Sequence, residues 1–86
     1  MDIQKIVLDF FSTQGKRPLT GATVEQQLAC AYLNEGIIDS MGIVNLILSL
    51  EQECGIKFTP EDMQSYEFQT PGGLINLIQR RQAEKP

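Results

Sequence analysis

The sequence contains no histidine, and it has only two cysteines among its 86 residues. Without histidine, the chain lacks the side chain that most often acts as a general base near neutral pH, and it cannot form a Ser-His or Cys-His couple. No pair of carboxylates has a spacing that suggests acid and base catalysis. We therefore expect a protein that performs no chemistry by itself.

The two cysteines are also poorly placed for a structural or metal-binding role. Cys30 and Cys54 lie far apart and outside any CxxC motif, so neither a disulfide framework nor a metal site is predicted. Both are interpreted as reduced, buried, small hydrophobic residues. Long apolar runs are missing near the start of the chain, so no signal peptide or membrane span is predicted. We expect a soluble, cytoplasmic monomer.

Length and charge narrow the class further. The chain fits a single domain over residues 1–86, with an ordered core over about residues 2–80 and a basic tail at 81–86. The net charge is -4, and between Glu25 and Glu67 eight acidic residues stand against one basic residue, Lys57, a local balance of -7. Such a segment disfavours binding to nucleic acid or anionic membranes and favours partners with basic surfaces. It is also typical of a merely solvated face.

Apolar spacing predicts helices and no strands. The first helix should end near Gly15, and its buried face should be formed by Ile3, Ile6, Val7, Phe10 and Phe11. A long connection over residues 16–39 follows, which in a compact domain must be partly ordered or functional. Within it, Thr23 and Gln26 form a candidate capping box for a short helix through Leu28 and Tyr32.

The strongest helical pattern runs from Met41 to Cys54 and stops at Gly55. Thr59 and Pro60 then open a short helix that carries Met63 and Tyr66. Thr70 and Pro71 repeat this start signal before a last helix that has Leu74, Ile75, Leu77 and Ile78 inward and ends in Arg80, Arg81 and Lys85. The predicted fold is an all-α four-helix bundle with a long loop after the first helix and a short third helix.

The helix after Ser40 carries two apolar stripes when residues are placed at about 100° per position. One stripe is the predicted core face, formed by Ile43, Leu46, Ile47, Leu50 and Cys54. The other, here called the outer stripe, consists of Met41, Val44 and Leu48. The outer stripe either packs under the long loop or forms an exposed patch that docks a partner.

Ser40 and the preceding Asp39 stand at the start of this helix. The first backbone N–H groups of a helix lack intrahelical partners and the helix dipole is positive there, so an anion attached at this point is stabilised. Asp and Ser are also preferred helix caps, which is the simpler interpretation. Since no base or oxyanion site can be identified nearby, Ser40 is interpreted as a hydroxyl offered to another enzyme and not as a nucleophile of this chain.

The stretch GIIDSMGIVNLILSLEQECGIKFTPEDM, followed by FQTPGGLINLI, resembles the acyl and peptidyl carrier proteins, with a match over about residues 1–80. The resemblance implies that Ser40 carries 4'-phosphopantetheine, transferred from coenzyme A by a magnesium-dependent phosphopantetheinyl transferase. The thiol of the arm would hold an acyl group as a thioester. Asp39 matches the acid before the modified serine. The outer stripe, with Glu51 and Glu53, matches the family's partner-binding surface.

Three departures from the family pattern narrow the hypothesis. Met41 replaces the commoner leucine, Gly42 and Asn45 stand where carriers of primary fatty acid synthesis usually have acids, and the motif is entered through Gly-Ile-Ile. These features favour a free-standing acyl carrier of polyketide or other specialised biosynthesis, served by an acyltransferase, a ketosynthase or an adenylating enzyme. An aminoacyl or peptidyl carrier of nonribosomal peptide type is the alternative. A helical interaction module that is never modified is a third possibility.

Overall fold

The structure, a computed structural model, describes residues 2–84, and every regular element in that range is helical. The elements are α1 (Ile3–Gln14), α2 (Val24–Leu28), α3 (Ser40–Cys54), α4 (Pro60–Gln64), the 3₁₀ helix η1 (Tyr66–Gln69) and α5 (Pro71–Glu84). The all-α prediction is confirmed. Helices α1, α3 and α5 form the bundle, α4 with η1 closes one side, and α2 lies within the long connection.

Helix α1 has the limits and the buried face that its apolar spacing predicts. The Asp2 side chain caps its start by accepting a hydrogen bond from the Lys5 backbone N–H at 3.1 Å. The helix ends at Gly15, whose N–H donates to the Phe11 carbonyl at 3.1 Å. Val7, Phe10 and Phe11 are buried, while Ile3 and Ile6 pack partly buried against the core. These side chains form one wall of the bundle.

Helix α3 presents its predicted core face to the other helices. Leu46, Leu50 and Cys54 are buried, and Ile43 and Ile47 are partly buried against the core. The helix stops at Gly55, which adopts the left-handed conformation with φ 65° and ψ 37°. Glycine reaches this region without the steric cost that a Cβ adds. Burial of the inner face fixes the direction in which the outer stripe points.

The long connection is ordered by contacts between its two ends. The Lys16 backbone N–H donates to the Ile37 carbonyl at 2.8 Å, and the Arg17 guanidinium donates to the Glu35 carbonyl. At its centre, Tyr32 is fully buried and its hydroxyl donates to the Phe68 carbonyl. Burial raises the pKa of the Tyr32 phenol. The connection therefore belongs to the packed fold.

Helix α2 forms where Thr23 predicts it, but it is shorter than expected. Thr23 accepts from the Gln26 N–H at 3.2 Å, while the Gln26 side chain accepts from the Ala22 N–H at 2.7 Å. The capping box is thus only half formed. The helix ends at Leu28, so Tyr32 lies beyond it, and the prediction that the helix reaches Tyr32 is wrong. Ala29 is the C-cap, and the buried Tyr32 follows in the loop.

The predicted third helix is divided into two elements. Thr59 and Asp62 form a complete capping box at the start of α4, with Pro60 as its first residue. Ser65 is then extended, with φ -75° and ψ 156°, and separates α4 from η1. The expectation of one helix carrying both Met63 and Tyr66 is therefore wrong. Tyr66 belongs to η1 and is 81% exposed.

Helix α5 buries all four of the side chains that its spacing points inward. Gly73 lies against the backbone of η1 so closely that a Cβ built on it would stand 1.9 Å from the Glu67 carbonyl oxygen. Arg80 and Arg81 lie within α5, which runs to Glu84, whereas Lys85 of the predicted basic tail lies outside the described residues. The division into a core and a tail stays a prediction.

Cys30 and Cys54 are free and buried, as their interpretation as small hydrophobic residues predicts. Within residues 2–84, no helix combines the length and the apolar character that crossing a bilayer requires.

Candidate functional site

The site at the start of α3 is organised by Asp39, which is the residue that caps the helix. Asp39 is extended, with φ -94° and ψ -175°, and its Oδ1 accepts from the Gly42 N–H at 2.9 Å. Ser40 is the first helical residue, and it is exposed. Its hydroxyl makes no hydrogen bond to any residue in the range 2–84. Because Asp39 serves as the cap, the Ser40 hydroxyl is left uncommitted.

Asp39 also forms an ion pair at the N-terminal end of α3. Its Oδ2 lies 2.9 Å from the Lys16 Nζ. The hydrogen bond from Lys16, followed by that from the Gly42 N–H, lowers the pKa of the Asp39 carboxyl. A carboxylate with a lowered pKa is a weaker base than usual. Although Asp39 adjoins Ser40, its environment makes it a poor general base for that hydroxyl.

The outer stripe is exposed along its length. Met41 is 73% exposed, Val44 52% and Leu48 57%. The long loop therefore does not cover these side chains, and of the two possibilities that the sequence leaves open, the structure has the exposed patch. Exposed apolar groups clustered on one helix commonly mark interaction surfaces. A role in partner binding stays a prediction.

The two glutamates assigned to the same surface do not lie together. Glu51 is partly buried, and its Oε2 accepts from the Phe58 N–H at 2.9 Å, which fixes the chain after α3. Glu53 lines a groove between α1 and α3 of about 320 Å³, together with Asp9 and Thr13. Residues two positions apart on a helix are separated by about 200°. Glu51 therefore borders the outer stripe, and Glu53 points to another side of the molecule.

Ion pairs reduce the acidic surface that the composition suggests. Three of the acidic residues between Glu25 and Glu67 have basic partners, in the pairs Asp39 with Lys16, Asp62 with Arg81 and Glu67 with Arg80. All three basic partners lie outside the acidic segment, Lys16 before it and Arg80 and Arg81 in α5. The local charge of the folded surface is therefore less negative than a count along the chain indicates.

Lys16 is the site residue that sequence reasoning missed. It lies 23 positions before Asp39, in another part of the chain, and no periodicity connects the two. The available signal is weak: Lys16 and Arg17 are adjacent basic residues directly after α1, at the entrance to the long loop. Only the folding of that loop back onto α3 brings Lys16 to the site.

Comparisons with known proteins point to one family. The family model described as the phosphopantetheine attachment site matches residues 32–78. D-alanyl carrier protein 1 of Lactiplantibacillus plantarum is 34% identical over 64 residues, which cover 74% of this chain and 80% of that relative. The D-alanyl carrier protein of Lacticaseibacillus rhamnosus is 31% identical over 65 residues, with the same shares covered. That of Lactobacillus helveticus is 26% identical over 84 residues, 98% of this chain and all of the relative. No solved structure gives a significant match.

Proposed function

The chain belongs to the phosphopantetheine-binding carrier proteins, and from this premise we propose that Ser40 is the attachment residue and that the cargo is an aminoacyl group. As a member of this family, the protein is a carrier that holds 4'-phosphopantetheine covalently. The observation that carries the assignment of Ser40 is its exposed, uncommitted hydroxyl at the start of α3, within the matched residues 32–78.

The residues around Ser40 fit a phosphodiester. The positive end of α3 favours an anion, and Asp39 caps the helix without using the serine hydroxyl. When bound, the arm supplies a thiol that carries the cargo as a thioester. The chain itself provides an accessible oxygen at a capped helix start, to which the base of the arm is attached.

The same environment supports a carrier that is acted on by enzymes. Lys16 and the Gly42 N–H occupy the two oxygens of Asp39 and lower the pKa of its carboxyl, so it is poorly suited to remove the Ser40 proton. We propose that the transferase supplies the base. The protein then takes part as a substrate and has no catalytic residue of its own.

The surface proposed for partner enzymes is the outer stripe with Glu51 at its border. Its apolar side chains are exposed, and they lie on the helix that begins at Ser40. A partner that covers them approaches the base of the arm at the same time. Glu53 lines the groove beside α1, and this position does not support its inclusion in the partner surface.

The names of the relatives favour an aminoacyl cargo. The relatives described above are D-alanyl carrier proteins. Their names support the aminoacyl alternative, and none of them supports the polyketide hypothesis. We propose D-alanine, or a similar small amino acid, as the cargo and an adenylating enzyme as the partner that loads it. A cytoplasmic location fits the two free cysteines, since thiols stay reduced there.

Attachment is tested by intact mass after incubation with coenzyme A, magnesium and a transferase of broad specificity. The wild-type protein should gain the mass of one arm, and Ser40→Ala should gain none. Ser49→Ala, which changes another serine of α3, is the matched control and should be modified like the wild type. A wild-type mass that stays unchanged, or an arm that Ser40→Ala still accepts, overturns the assignment.

Cargo is tested on the modified protein with two loading systems. One contains ATP, D-alanine and a D-alanine-activating ligase, and the other contains malonyl coenzyme A and a malonyl transferase. We expect a D-alanyl thioester, released by hydroxylamine, and a slower malonyl transfer. Efficient malonyl loading without D-alanyl loading contradicts the proposal and restores the polyketide hypothesis.

Partner docking is tested with Leu48→Ser in the modified protein. Loading by the ligase should fall because an apolar contact is replaced by a polar group, while the melting temperature stays close to that of the wild type. Retention of full partner binding by Ser40→Ala and its loss in Leu48→Ser would instead support the unmodified interaction module.

A further inference from the structure

The strongest feature that the carrier function leaves unexplained is the lysine at the mouth of α3. The Lys16 ammonium lies 2.9 Å from Oδ2 of Asp39, whose other oxygen is bound to the Gly42 N–H. The ammonium therefore stands at the rim of the helix start, beside the residue that adjoins Ser40. Lys16 and Asp39 are both largely solvent-exposed, at 63% and 50% of their side-chain surface, so a further group can approach them.

Two hydrogen bonds to loop carbonyls, one from a backbone N–H and one from a side chain, hold Lys16 in this position. Its own N–H donates to the Ile37 carbonyl at 2.8 Å, and the neighbouring Arg17 donates to the Glu35 carbonyl. Gly15, just before it, ends α1 against the Phe11 carbonyl. The backbone of Lys16 is thus fixed to the loop segment that leads into α3. Its side chain remains free to adjust.

Arg17 adjoins Lys16, but its guanidinium donates to the Glu35 carbonyl. The remaining basic residues of the described range lie elsewhere. Arg80 and Arg81 are engaged with Glu67 and Asp62 on α5 and its neighbours. Lys57 follows the opposite end of α3, and Lys5 lies in the first turn of α1, at the end remote from Gly15. A phosphate on Ser40 therefore meets Lys16 before the other described lysines.

We propose that, once Ser40 carries its phosphodiester, the Lys16 ammonium contacts the phosphate and the Asp39 carboxylate together and restrains the base of the arm against the loop. This inference rests on the proposed attachment at Ser40. An ammonium has three N–H donors, so it can keep Asp39 and accept a second anion. Charge-assisted hydrogen bonds to phosphate are stronger than neutral ones, yet an exposed pair is screened by salt. Lys16 is accordingly a positioning residue, and its restraint of the arm weakens as the salt concentration rises.

The experiment compares modified and unmodified forms of three proteins: wild type, Lys16→Gln and the matched control Lys57→Gln, which removes a lysine at the far end of α3. Each modified form is first verified by intact mass. The change in melting temperature on modification should be more favourable in the wild type than in Lys16→Gln by about 1–3 °C, the scale of one exposed ion pair in a domain of this size. Lys57→Gln should behave like the wild type. The difference should disappear at about 0.5 M salt.

Phosphorus NMR of the modified proteins gives a readout at the group itself. The phosphodiester resonance should shift, and narrow as the arm gains freedom, in Lys16→Gln, with recovery in Lys16→Arg and no effect in Lys57→Gln. Equal resonances and equal temperature changes in the wild type and Lys16→Gln, with both verified as modified, overturn this inference alone. A wild-type protein that accepts no arm overturns the proposed function and this inference with it.

Discussion

Asp39 and Asp62 each cap a helix and pair with a basic side chain, but they lie in regions of very different exposure. Asp39 caps α3 and pairs with Lys16, while Asp62 belongs to the capping box of α4 and pairs with Arg81. In both cases a hydrogen bond from the basic partner is the first cause that lowers the pKa of the carboxyl. The Asp39 side chain is 50% exposed, and that of Asp62 is 7% exposed.

The buried carboxylate of Asp62 has more hydrogen-bond partners than the exposed carboxylate of Asp39. Arg81 contacts Asp62 with two nitrogens, Nε at 3.0 Å and Nη2 at 2.6 Å, and the Thr59 N–H adds a third hydrogen bond at 2.9 Å. Lys16 makes one contact with Asp39. A buried carboxylate needs all of its partners, whereas an exposed one can exchange them with water or another anion. The region of α4, η1 and α5 is therefore built for stability, and the start of α3 is built for access.

The largest expected effect comes from Gly73→Ala, which disturbs the contact between α5 and η1. A Cβ there would lie 1.9 Å from the Glu67 carbonyl oxygen, which is backbone and cannot swing away. Gly73→Ala should cost about 3 kcal/mol or more of unfolding free energy and lower the melting temperature by about 12 °C or more.

Gly72→Ala is the matched control for this substitution. Its nearest neighbour is the Leu28 carbonyl oxygen at 3.0 Å, and the gain in helix propensity of roughly 1 kcal/mol offsets part of the crowding. Thermal unfolding followed by circular dichroism measures both variants. Equal losses in the two would contradict the close approach of Gly73 to η1.

An intermediate effect is expected for Asp62→Asn, which removes the buried charge and leaves the Arg81 guanidinium with Glu84 as its ion-pair partner. The loss should be about 1–3 kcal/mol, whereas the exposed neighbour Glu61→Gln should stay within about 0.5 kcal/mol. The pKa of Asp62 is lower in the folded than in the unfolded protein, so its contribution is present above about pH 3.9 and is lost as pH falls through the lower folded value. Urea unfolding between neutral and acidic pH should show this dependence in the wild type, and the dependence should be reduced in Asp62→Asn.

The smallest effect is expected for Asp39→Asn. Asparagine caps a helix about as well as aspartate, so the start of α3 should be preserved. The substitution weakens the exposed contact with Lys16 and the interaction of the charge with the helix dipole. The melting temperature should fall less than in Asp62→Asn, and the difference from wild type should shrink further with added salt. A loss as large as that of Asp62→Asn would erase the distinction between the two regions.

Local signals in the sequence are sufficient for most of the helices. Thr59 and Pro60 predict the start of α4, Gly55 the end of α3, and Asp39 with Ser40 the start of α3, because caps act within one turn. The break at Ser65 has no equally clear local signal, and α4 and η1 were therefore expected to be one helix.

The candidate site is only partly predictable, since its polar contacts are long-range. Lys16 reaches Asp39 only because the loop folds back. The two stripes of α3 and the inward direction of the core face are visible in the sequence, but whether the outer stripe is covered depends on the path of that loop. The family resemblance assigns Glu51 and Glu53 to one surface, although helical geometry separates them.

The hydrogen bond from the Tyr32 hydroxyl to the Phe68 carbonyl has a kinetic consequence. Its partners are 36 positions apart in the sequence, so the chain between them must close into a loop before the bond can form. Contacts within α1, α3 and α5 form locally and need no such closure. We therefore expect this hydrogen bond to form after the individual helices, with substitutions at Tyr32 speeding unfolding more than they slow folding.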